Sequence, residues 1–112
     1  MKDCLTLPNG RLSEKQKNTY WNDGYLFPID AVNETQTKNW RNSLEKIEHD
    51  WLDNGLTLPL NTYKRVNAQV VMPLACEIGL HGQILDAVEG ILGPDIMLYS
   101  VEFLTKEPHT KH

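Results

Sequence analysis

Residues 93–108, GPDIMLYSVEFLTKEP, place the hardest constraint on what this chain can fold into. Gly93-Pro94 ends any helix that precedes it, since glycine tolerates a left-handed cap and proline cannot continue a helix. From Asp95 onward the residues alternate. Met97, Tyr99, Val101, Phe103 and Thr105 form one apolar to semi-apolar face, and Ile96, Leu98, Ser100, Glu102, Leu104 and Lys106 form the other. A period of two predicts one long strand, and a strand needs neighbours for its backbone groups. The second face turns polar at Ser100, so it is either a solvated surface or the wall of a polar pocket inside a barrel.

Ahead of this segment the pattern is mostly helical. Ser13 with Gln16 three residues on makes a capping box, which predicts a helix to about Asn22 that Asp23-Gly24 closes. Tyr25 to Ile29 is rich in β-formers, but Pro28 confines it to a sheet edge or a short strand. Asn33 caps a longer helix in which Trp40, Leu44, Ile47 and Trp51 recur as one apolar stripe, with Asn54-Gly55 as its stop. Residues 56–71 have little periodicity and predict a loop with a short strand near Ala68 to Met72. Pro73 opens a short helix through Ile78. The next helix runs from Gly82 to Leu92, with Ile84, Leu85, Val88, Ile91 and Leu92 on one face.

The chain has 112 residues, 40% of them hydrophobic and 23% charged, enough for a single domain over 1–112 with its own core. Its net charge of -4 offers no general attraction for nucleic acid or an anionic membrane, and neither is expected as a partner. The N-terminus lacks the apolar core of a signal peptide, and no run approaches the roughly 20 apolar residues of a membrane helix. A cytoplasmic protein is therefore expected, with Cys4 and Cys76 as reduced thiols. His49 and His81 are expected to be solvated, and His109 and His112 follow Pro108, where a helix that would pair them is disfavoured. Glu45 with Glu48, and Asp86 with Glu89, fall on exposed helix faces. No nucleophile with a base, no phosphate loop and no metal set can be assembled from these residues.

Three stretches carry a resemblance: LSEKQKNTYWNDGYLFPIDAV, QILDAVEGILGPDIMLYS and FLTKEP. In this order and at similar separations they resemble the N-terminal part of the phytanoyl-CoA dioxygenase family. The resemblance implies an α+β fold, with N-terminal helices and the first strands of a double-stranded β-helix (jelly roll, cupin-like) that is incomplete here. It also implies hydroxylation of a small-molecule substrate with iron(II), oxygen and 2-oxoglutarate. In that family a His-x-Asp pair and a distant His hold the metal and leave positions open for the cosubstrate and oxygen.

The present sequence contains no His-x-Asp. In the family that pair follows soon after the Lys-x-Pro element, here Lys106 and Pro108. The chain is thus expected to be an N-terminal fragment, inactive as given and binding no cofactor tightly by itself. Lys106 matches a lysine that contacts 2-oxoglutarate in some members, and Ser100, Glu102 and Leu104 share its face as pocket wall, with Glu102 on the substrate side. A rival expectation is a non-catalytic interaction module that works through the Trp40 and Trp51 helix or an exposed sheet edge.

Overall fold

In the computed structural model, which describes residues 11–52 and 55–109, six helices precede a long segment without ladder partners. They are α1 (Glu14–Asp23), α2 (Glu34–Trp51), α3 (Leu60–Arg65), α4 (Ala68–Val71), α5 (Pro73–Gly79) and α6 (Gly82–Leu92). Cys4, Asn54 and His112 lie outside the described residues.

The helix ends follow from their caps. Ser13 Oγ accepts from Gln16 N at 3.2 Å, and Gln16 Oε1 accepts from Ser13 N at 2.8 Å, so the capping box is complete. Gly24 (φ 82) closes α1, its N–H donating to Tyr20 O. Asn33 Oδ1 accepts from Gln36 N at 2.8 Å and starts α2. Pro73 occupies the first turn of α5, and Gly93 (φ 85) closes α6.

Two packing centres result. Ala68, Met72 and Ala75 are buried, with Leu44, Ile47, Val101 and Phe103 packed around them. At the other, Leu12 of the α1 lead-in is 5% exposed and sits so close to Gly90 that a Cβ there would stand 3.1 Å from Leu12 Cβ. The α1 lead-in therefore docks on α6 through the small residue in its last turn. Of the α6 apolar face, Ile84, Leu85, Val88 and Ile91 are half-buried, whereas Leu92 is exposed.

The α+β expectation is overturned: 58% of the described residues are helical, and among them there is no strand and no sheet of a double-stranded β-helix. Each expected strand fails for a physical reason. Residues 25–29 have no neighbouring strand among the described residues, and Pro28 has no N–H to give to a ladder. Ala68–Val71 instead form α4 with Met72 as its C-cap, because Asn67 (φ 49, ψ 47) turns the chain sharply and Met72 N then closes locally on Ala68 O at 2.8 Å. α3 also falls where a loop was expected.

The segment 95–107 keeps its alternation without a ladder. Val101 and Phe103 are half-buried and the residues between and after them exposed, but Met97 and Tyr99 of the expected packing face are 90% and 92% exposed. Its partners are helix ends. Phe103 N donates to Lys64 O at 2.8 Å, near the end of α3, and Val101 O accepts from Ala68 N at 2.9 Å, the first residue of α4. Helix ends leave such carbonyls and N–H groups without intrahelical partners, and the segment satisfies them. Val101 N donates to Gln69 Oε1 at 2.9 Å and completes the attachment.

Candidate functional site

The apolar stripe of α2 and the segment 95–107 border a groove of about 600 Å³, lined by Trp40, Arg41, Leu44, Glu45, Ile78, Phe103, Leu104 and Lys106 among others. Leu104 and Lys106 thus share one groove. Ser100 and Glu102 do not line it: Ser100 Oγ accepts from Asn67 N at 3.2 Å and donates to Glu102 Oε1 at 3.4 Å. The four residues expected to share a pocket wall are split into two pairs.

The groove carries both signs of charge. Arg41 Nε donates to Glu45 Oε1 at 2.9 Å, so that guanidinium already has a carboxylate. Lys106 is exposed and makes no ion pair among the described residues. Trp40 forms the inner wall, donating its Nε1–H to Glu77 Oε1 at 2.8 Å and meeting His81 edge-to-face at 5.2 Å. Trp40 is committed within the fold rather than free for a partner, whereas Trp51 is 47% exposed. It lines a second, more apolar groove of about 480 Å³ with Ile47, Leu56, Leu60, Tyr63 and Met72.

One polar feature of this region was not legible as such. Lys64, in the stretch expected to be a loop, is 4% exposed, pairs with Glu48 and donates to Thr105 Oγ1 at 3.3 Å. Glu48 is therefore no solvated carboxylate. A signal existed: residues 40, 44 and 48 are spaced by four, which puts Glu48 on the face of Trp40 and Leu44 and calls for a buried cation beside it. Asp86 is likewise half-buried rather than exposed. His81 departs from expectation too, being half-buried with its Nδ1 sealed and without a hydrogen-bond partner among the described residues. On the outer face of α2, a hydrogen bond from Lys46 and then one from His49 hold Asp50 below the ordinary aspartate range.

The donors among the described residues do not fit iron. His49 meets only Asp50, His81 faces Trp40, and among the described residues no three His, Cys, Asp or Glu side chains converge. No described helix is long and apolar enough to cross a membrane. Comparison of the chain with protein-family models, curated proteins and solved structures finds no match in any of the three.

Proposed function

We propose that the chain is the N-terminal part of a cytoplasmic iron(II)- and 2-oxoglutarate-dependent oxygenase resembling the phytanoyl-CoA dioxygenase family, acting on a small molecule, and that these 112 residues alone are inactive. The observation that carries this reading is the seat of Leu12 against Gly90. Leu12 opens the first stretch of the resemblance and Gly90 stands within the second, far along the chain. Leu98, within the second stretch, is likewise seated against α5, where a Cβ on Gly79 would stand 3.2 Å from Leu98 Cδ2. Residues that carry the resemblance thus pack against one another or against the helices between them, as parts of one functional unit would. In the complete enzyme Lys106, exposed and without an ion pair among the described residues, is the residue assigned to a carboxylate of 2-oxoglutarate.

The purified 112-residue chain, supplied with iron(II) and 2-oxoglutarate, should yield no succinate and hold no stoichiometric iron. A longer product that continues in frame through a His-x-Asp should do both. Succinate formation with stoichiometric iron in the short chain would overturn the claim of inactivity. A coding sequence without an in-frame His-x-Asp soon after His112 would overturn the family reading.

A further inference from the structure

We propose that the outer edge of the segment 95–107 is a self-association site, at which two copies of this chain pair antiparallel about a two-fold axis through Leu104. This inference rests on the geometry of the segment and not on the oxygenase reading. In an alternating backbone, the N–H and C=O groups of odd and even residues point to opposite edges. Here the odd residues are used: Val101 N and O and Phe103 N all bond to the α3–α4 side. The even residues 102, 104 and 106 therefore turn their backbone groups outward, and none of those groups has a backbone partner among the described residues. Leu104 is 81% exposed, and Glu102 and Lys106 are exposed with it.

Charge complementarity selects a second copy and fixes the register. Centring the axis on Leu104 sets Glu102 of one copy opposite Lys106 of the other, twice over by symmetry, with the two leucines facing each other. Residues 102, 104 and 106 are then all in positions where directly opposed residues exchange both backbone bonds. Centring on Phe103 sets Glu102 against Leu104, and centring on Thr105 sets Leu104 against Lys106 and Glu102 against Pro108, which has no N–H to give. Only the Leu104 register opposes unlike charges. Pro108 then limits the length of the ladder, as proline does at sheet edges.

The test is the mass of the intact 112-residue chain by sedimentation equilibrium up to about 100 µM, where a low-micromolar dimer is saturated. A dimer is expected. Leu104→Pro removes the central outward backbone N–H at a residue whose side chain the fold does not bury, and should give a monomer with unchanged far-UV circular dichroism. Glu102→Lys and Lys106→Glu should each weaken the dimer about tenfold, since each sets like charges opposite twice. The combined exchange Glu102→Lys with Lys106→Glu should restore wild-type affinity. A wild-type monomer throughout the range, a dimer indifferent to Leu104→Pro, or a double exchange no better than the single changes would each overturn the proposal; the last two would assign the contact to another surface.

Discussion

Replacing Glu48 by alanine and Lys64 by methionine, one at a time, should give unequal losses of stability although both changes delete the same ion pair. The Lys64 side chain is 5% exposed and that of Glu48 is 33% exposed. Glu48→Ala leaves an ammonium in the interior with Thr105 Oγ1 as its remaining partner at 3.3 Å. Stranding a buried charge costs about 3–5 kcal/mol, and the partial exposure of Glu48 puts this case at the lower end, about 3 kcal/mol. Lys64→Met keeps the apolar stem and leaves a carboxylate that can turn to water, which costs about 1 kcal/mol or less. Urea unfolding followed by circular dichroism reads the difference directly. With a slope of about 1.5–2 kcal/mol per molar for a chain of this size, the two midpoints should lie about 1 M apart. The double variant should be no less stable than Lys64→Met. If Lys64→Met proved as damaging as Glu48→Ala, the desolvated ammonium would not be the quantity at stake and the argument would fail.

Gly79→Ala should loosen the segment 95–107, because the added Cβ would stand 2.9 Å from Val101 Cγ2 and 3.2 Å from Leu98 Cδ2. Overpacking of this kind costs about 1–3 kcal/mol, and hydrogen exchange should show the Val101 and Phe103 amides opening faster while the α1 amides are unchanged. Asp50 should titrate below an ordinary aspartate, the Lys46 bond being the larger cause and the His49 bond the smaller. A depressed carboxyl adds stability above the unfolded-state value and loses it as the pH falls through the folded one. Carboxyl carbon NMR checks this, and Lys46→Met should return Asp50 most of the way to the ordinary range.

The sequence was most legible where local chemistry decides the outcome. Ser13 with Gln16, Asn33, Pro73 and Gly93-Pro94 act within one turn of their own residue, and the helices they bound lie where the residues predict them. The strands were misread for one shared reason, that alternation reports a preference for extended backbone and not the presence of a neighbour. Among the described residues Tyr25 to Ile29 and Ala68 to Met72 have no strand beside them, and Val70 and Val71 lie in a helical turn despite their β-branching. Trp40, Leu44 and Ile47 pack as their spacing predicts, while Trp51 at the end of the same stripe is half-exposed and lines a groove with Leu56 and Leu60. Lys64 escaped notice because its burial depends on Glu48 and Thr105, sixteen and forty-one residues away, which no local pattern encodes.

Lys64 also explains how a segment built for a sheet is held without one. Its carbonyl, near the last turn of α3, accepts from Phe103 N, and its ammonium reaches Thr105 Oγ1 and Glu48 of α2. One residue therefore fixes two alternate positions of the segment and ties both to the long helix. Ala68 N–H, at the start of α4, fixes a third through Val101 O, and Asn67 N–H adds Ser100 Oγ. Every one of these attachments answers a backbone group at or beside a helix end, or a buried charge, that would otherwise be left unsatisfied at a cost of about 1–3 kcal/mol. The α3–α4 junction thus needs the segment as much as the segment needs the junction. The backbone groups of residues 102, 104 and 106 supply nothing to the described helices, which is why the edge carrying Glu102, Leu104 and Lys106 remains free to pair.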